Sequence, residues 1–183
     1  MNDCAKFLDQ PSFSLIGNVA DQLGQECYVV GGFVRDKHLG RPIKMDLDFV
    51  TIGSGIELAR AVQKELKPKP KLTVFKSFGT AHMKFKVIDL EFVGARKESY
   101  RKDSRNPVVE NGSLQDDQDR RDFTINAMAI CLNKDRWGEL LVPFDGISDL
   151  DKKRITTPLA PDKTFDDDPL RMMRAARFAS QLG

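Results

Sequence analysis

Asp46 and Asp48 stand one residue apart in a stretch, Met45 to Thr51, whose polar and apolar residues alternate as in a strand. Both carboxylates therefore point to one face while Leu47 and Phe49 point into a core. Like charges at this spacing repel unless a cation lies between them, and Mg2+ suits the position because it takes hard oxygen ligands and keeps places for water and phosphate. Just upstream, Tyr28 to Val30 has strand composition and leads into Gly31-Gly32. A glycine pair lets the backbone turn tightly and approach a ligand closely. The helix expected after it would face the same region with unpaired N–H groups, and Arg35 in its first turn would add a guanidinium fork. An isolated pair of alternating aspartates is more often a solvent-facing strand. The glycine corner and the arginine turn the reading toward phosphate held beside a divalent metal.

These residues need a scaffold, and the rest of the chain supplies its pattern. Phe13, Ile16, Val19, Ala20 and Leu23 have helical spacing within 7–23, and Gly24 is a natural stop. Ile56, Leu58, Ala59, Val62 and Leu66 mark a second amphipathic helix, ended by the Pro68 and Pro70 region. Leu72 to Phe75, Ala81 to Phe85 and Val87 to Val93 read as strands, the last with Asp89 and Glu91 on one face. This order fits a mixed sheet covered on one face by helices. Lys97 to Asp119 is polar and aperiodic, which predicts a mobile loop. Its basic cluster of Arg96, Lys97, Arg101, Lys102 and Arg105 is then solvated or touches RNA phosphates. From the residues alone, Arg120 to Ile130 predicts a helix with a charged entrance, and Asp145-Gly146 a turn before another helix. Asp168-Pro169 opens a last helix, the aspartate as cap and the proline in the first turn. On it Arg171, Arg174 and Arg177 share one side, with Leu170, Met173, Ala176 and Phe178 expected to face inward.

The 183 residues suffice for one domain of ordinary size and the beginning of a second. With 29 basic and 27 acidic side chains the formal charge is only +2, a weak footprint for gripping a whole RNA. Contacts with any long polyanion are thus expected to be local, or to lie in C-terminal domains beyond this chain. Cys4, Cys27 and Cys131 are few and scattered, which argues against a disulfide framework or zinc knuckle and for a reducing, cytoplasmic setting. No apolar run approaches a membrane span, and the N-terminus lacks the pattern of a secretory signal. His38 and His82 are isolated and read as structural or surface residues.

GGFVRD followed by DLDFVT resembles the first motif of the class II tRNA nucleotidyltransferase and bacterial poly(A) polymerase family, within the polymerase-beta-like nucleotidyltransferases. EFVGAR resembles its second strand motif, RRDFTINAMAI its second signature, PFDGISDL its third motif and DDPLRMMRAARFA its base-recognition motif. The resemblance implies an α+β head, with a mixed, mostly antiparallel sheet flanked by helices, over 1–150, and the start of a helical neck over 151–183. It implies Asp46, Asp48 and Glu91, rather than Asp89, as the catalytic carboxylates, with Asp46 and Asp48 on Mg2+. Gly31, Gly32, Arg35, Arg120, Arg121, Asp122 and Asn126 would surround the triphosphate and sugar. Asp168 and Arg171 would read the base, with Arg174 and Arg177 toward base or phosphate. Glutamate is more usual in the family where Asp167 stands. The implied activity is addition of C, C and A to tRNA 3′ ends from CTP and ATP, with tRNA as partner and no membrane. The scattered lysines of VFKSFGTAHMKFK favour this over a poly(A) polymerase of the same family. A nucleotide-binding module without turnover is the alternative from another class.

Overall fold

A computed structural model describes residues 4–42, 45–101 and 104–183, with the side chains of 97–101 and 104–109 outside the description. Helix α1 (Pro11–Leu23) begins on a proline, whose missing N–H costs nothing in a first turn, and ends at Gly24 in the left-handed region. Strand β1 (Glu26–Val30) runs into the glycine corner and helix α2 (Gly32–His38). Then come β2 (Asp46–Ile52) and α3 (Gly55–Glu65), whose first turn is capped by the Ser54 side chain accepting from the Glu57 N–H. Strands β3 (Leu72–Phe75), β4 (Thr80–Phe85) and β5 (Ile88–Gly94) follow, then β6 (Arg96–Arg101) and β7 (Ser104–Asn111). The remainder is α4 (Leu114–Asp119), β8 (Ala129–Cys131), β9 (Leu140–Leu141), α5 (Gly146–Asp151), α6 (Pro161–Asp167) and α7 (Leu170–Leu182).

Seven strands form one sheet in the order β3-β4-β5-β2-β1-β8-β9. Only the β2–β5 pair is parallel, so the sheet is mixed and mostly antiparallel, as expected. One face carries the main core, where Leu47, Phe49, Leu90 and Phe92 meet Phe13 and Ile16 of α1 and Leu58 and Val62 of α3. The Phe49 and Phe92 rings stack at 5.2 Å across the parallel pair. The opposite face has a smaller cluster of Tyr28, Val30, Val50, Ala95, Ala129 and Cys131, with Leu114 of α4 against it. Phe178 of α7 meets Phe123 edge-on at 5.8 Å, so the last helix packs on the head.

Three expectations are corrected. The predicted loop at 97–119 is an antiparallel hairpin of β6 and β7 followed by α4, whose start is closed reciprocally by Ser113 and Asp116. Charged residues on these strands conceal the alternation, and the SxxD spacing of the cap was the available signal. Of the basic cluster, Lys102 lies outside the described residues, as do the side chains of Lys97, Arg101 and Arg105. Arg120 to Ile130 is not a helix but a single 3-10 turn at Thr124–Asn126 leading into β8. On α7 the buried stripe is Arg171, Phe178 and Leu182, while Leu170 is 52% and Met173 72% exposed and Ala176 is also exposed. Phe178 faces inward as expected, joined there by Arg171, whose guanidinium finds backbone carbonyls in the head, while Arg174 and Arg177 stay exposed.

Helix α1 approaches the chain after β8 so closely that a methyl group on Gly17 would lie 2.0 Å from the Leu132 carbonyl oxygen. Backbone cannot yield as a side-chain tip can. Gly17→Ala should therefore cost about 3 kcal/mol or more, and an unchanged midpoint in urea denaturation would refute this packing.

Candidate active site

The parallel pairing of β2 with β5 decides where the acids fall. Asp48 is opposite Glu91 and Asp46 is opposite Asp89, so all four side chains share the face away from the main core. The two candidates on β5 differ in their company. Asp89 receives His82 Nε2 at 3.1 Å and Lys84 Nζ at 3.7 Å. Glu91 stands next to Asp48, and its charge, after burial and after Asp46, helps to push the Asp48 carboxyl up from 3.8 to about 6. Burial and the neighbouring charges together raise this pKa, and the hard carboxylate oxygens of Asp46 and Asp48 are of the kind that Mg2+ takes. Among the described residues no group of three or more acidic, histidine or cysteine side chains is placed to hold a metal ion.

The glycine corner touches this row. Gly31 has φ +70, and a methyl group there would lie 3.5 Å from Asp48 Oδ2 and 3.4 Å from Arg121 Nη1. Those are ordinary contact distances, so it is the backbone angle that requires glycine here. Beyond it opens a cleft of about 630 Å³. Asp46, Asp48, Gly31, Gly32, Arg35, Arg120, Arg121, Asp122, Asn126, Asp168, Arg171, Arg174 and Arg177 all line it. Glu91 does not; it joins the site through strand register alone. The cleft thus draws on residues from Gly31 to Arg177 of the chain.

Several cleft groups are bound to one another. Buried Arg35 donates from Nη1 to Asn126 Oδ1 at 2.7 Å and from Nε to Asp36 at 2.9 Å, with its guanidinium 5.0 Å from the centre of the Phe178 ring. Asn126 donates to Asp122 Oδ1 at 3.1 Å, and Asp122 Oδ2 accepts from Arg174 at 2.7 Å. Arg171 donates to the carbonyls of Arg120 at 2.8 Å and Thr164 at 3.3 Å. The N-cap of α7 is Pro169, one residue after the expected aspartate, and Asp168 accepts from the Leu170 N–H at 3.1 Å beside it. Arg177 lies over Phe178 and makes no ion pair among the described residues.

Two acids outside the expected nucleotide-binding set hold this frame: Asp117, which the sequence reading did not single out, and Asp149 of PFDGISDL, to which it gave a structural role. Asp117 is fully buried and binds both Arg120 and Arg121, the latter at 2.8 and 3.0 Å. Burial alone would raise its pKa, but the Arg121 and Arg120 guanidiniums hold it below the usual carboxylate range. Its signal was the spacing of three and four residues to two arginines, which lie just past the end of α4. Asp149 of α5 accepts from Thr124 Oγ1 at 2.6 Å and so braces the turn that carries Asn126. No spacing rule links residues 25 apart, though the structural role expected for PFDGISDL agrees with it.

A sheet bearing paired carboxylates at a glycine corner, facing a wall of arginines, is the arrangement of a nucleotidyltransferase head. The chain belongs to the poly A polymerase head-domain family, which it matches over residues 27–156. It is 46% identical over 157 residues to an A-adding tRNA nucleotidyltransferase of Aquifex aeolicus (strain VF5), covering 85% of this chain and 18% of that protein. It is 40% identical over 166 residues to a CCA-adding enzyme of Lactiplantibacillus plantarum (strain ATCC BAA-793 / NCIMB 8826 / WCFS1), covering 87% and 37%. A solved tRNA nucleotidyltransferase complexed with a primer tRNA and an incoming ATP analog superposes with a TM-score of 0.76 at 41% identity, covering 90% of this chain and 44% of that one. The chain thus spans less than half the length of each of these proteins. Among the described residues no helix is long and apolar enough to cross a membrane.

Two predictions follow from the charges. The raised pKa of Asp48 favours folding below about pH 4, and that contribution is lost as pH rises through about 6. In metal-free buffer Asp48→Asn should remove this loss and exceed the parent in stability at pH 7.5 by on the order of 2 kcal/mol; equal pH profiles in thermal melts would contradict the assignment. Asp117→Asn strips two guanidiniums of their counter-charge and should destabilise by roughly 3 kcal/mol. A denaturation midpoint like that of the parent would show that the pair needs no such anchor.

Proposed function

We propose that the chain is the catalytic head of a template-independent RNA nucleotidyltransferase that adds C, C and A to tRNA 3′ ends from CTP and ATP, releasing pyrophosphate. The observation that carries this reading is Asp48 set in register with Glu91 and beside Asp46 at the edge of an arginine-lined cleft. Residues 1–150 make the head in this reading, and 151–183 begin a helical neck. Asp46 and Asp48, with Glu91 beside them, would hold Mg2+, which would supply charge to offset that of the transferring phosphoryl group and the attacking oxygen.

The chain's own residues supply position and electrostatics. Gly31 and Gly32 let the triphosphate approach the backbone, and Arg120 and Arg121, held rigid by Asp117, take its negative charge. Asp122 and Asn126, joined to each other and steadied by Arg35 and Arg174, lie where sugar and phosphate meet. Asp168 and Arg171 offer an acceptor and donors to the base edge, with Arg174 and Arg177 at the phosphate side. Attack of the RNA 3′ hydroxyl on the α phosphorus forms the new P–O bond while the bond to pyrophosphate breaks. Catalysis here is mainly alignment.

The identity to an A-adding relative favours a second reading, addition of the terminal A alone. Full-length protein given tRNA lacking CCA should incorporate C from CTP and then A from ATP. Incorporation of A only into tRNA already ending in CC would replace the first reading by the second, and A-tailing of unstructured RNA without C would overturn both. Asp46→Ala and Asp48→Ala should each lower incorporation by roughly 10²-fold or more. Turnover that survives both changes would remove the carboxylates from the mechanism, and a parent protein that binds nucleotide without turnover would be a binding module.

A further inference from the structure

The open face of the sheet continues past the carboxylates. Outward from Asp48 the register runs through Glu91 on β5 and His82 on β4 to Thr73 on β3. Phe75 lies two residues from Thr73 and so on the same face, while Leu72 and Val74 turn toward the main core. Three strand spacings put β3 about 14 Å from β2, a distance that a short single strand of RNA can cross.

At this margin two large rings face water. Phe75 is 48% exposed, and Phe78, in the turn Lys76–Phe78 between β3 and β4, is 43% exposed. Lys71 and Lys76 are exposed around them in the chain. The turn is fixed rather than loose: the Phe78 carbonyl accepts from Thr80 Oγ1 and from Arg96 Nη1, both at 3.2 Å, and Gly79 closes it with φ +62. Exposed rings on a rigid backbone with lysines nearby meet the needs of unpaired nucleotides, which offer base faces to stack and phosphates to neutralise. A duplex keeps those faces hidden.

Building on the reading under Proposed function, we propose that Phe75 and Phe78 are a stacking platform for the unpaired nucleotides just upstream of the primer's 3′ hydroxyl, with Lys76 on a phosphate. The strand would run from β3 across β4 and β5 toward Asp48. This assigns a primer subsite to the sheet margin, separate from the arginine-lined cleft that takes the triphosphate.

The test uses full-length protein and a primer RNA carrying 2-aminopurine at its penultimate position, without triphosphate. Binding should quench the fluorophore. The double variant Phe75→Leu/Phe78→Leu, which keeps apolar bulk and removes the rings, should lose the quench and weaken primer binding roughly 10-fold or more. Its affinity for nucleoside triphosphate should not change, and Phe75→Trp/Phe78→Trp should retain the quench. Primer affinity and quench unaltered by the leucine pair, in protein that still adds nucleotides, would overturn the platform and leave the activity standing. Ring-dependent quench in protein that adds no nucleotide would keep the platform and sink the activity. Equal weakening toward primer and triphosphate, with a lowered Tm, would mean that the rings pack against another part of the protein, and would also overturn the proposal.

Discussion

Acidic groups held side by side on one sheet face repel each other, and much of the molecule around the cleft is arranged to tolerate that repulsion. Asp46, Asp48 and Glu91 come together because two parallel strands pair in one register, and burial together with the charges of Asp46 and Glu91 raises the pKa of Asp48. Arg121 answers it from across the glycine corner, within 3.4 Å of the space that any side chain on Gly31 would need. Arg121 is in turn fixed by Asp117, a carboxylate with no access to solvent. Charge is thus balanced in layers, from the open face back into the protein.

The same economy of partners ties α7 to the head. Arg174 binds Asp122, Arg171 binds backbone carbonyls of Arg120 and Thr164, and Phe178 fills the space beneath Arg35 and against Phe123. The residues expected to contact nucleotide are therefore a connected set. Their present hydrogen bonds define the orientation in which a ligand would meet them.

What the amino-acid order disclosed depended on the range of the interaction. The alternation around Asp46 and Asp48, the glycine corner and the start of α7 at Asp168-Pro169 are local, and each was legible from residues a few positions apart. The strand pairing that sets Glu91 beside Asp48 joins positions 43 residues apart, and only the resemblance of EFVGAR to a known motif pointed to Glu91. The hairpin of β6 and β7 was missed because charged side chains obscure its alternation. Arg120 to Ile130 misled in the other direction, since its apolar spacing suits a helix while Asp149 and the sheet hold it as a turn and a strand. The inward Arg171 of α7 was hidden for a related reason. Hydrophobicity alone cannot foresee a polar partner supplied by a distant segment.

The stacked Phe49 and Phe92 rings lie on the side of the sheet that no substrate reaches, yet they sit in the same parallel pair as Asp48 and Glu91. Sliding one strand past the other by a single residue would bring a carboxylate into the oily interior and a leucine out to the cleft. The aromatic pair thereby acts as a detent that indexes the acidic row. Its fit sets the spacing of the charges, so the chemistry of the site can be retuned by changes in side chains that never meet water.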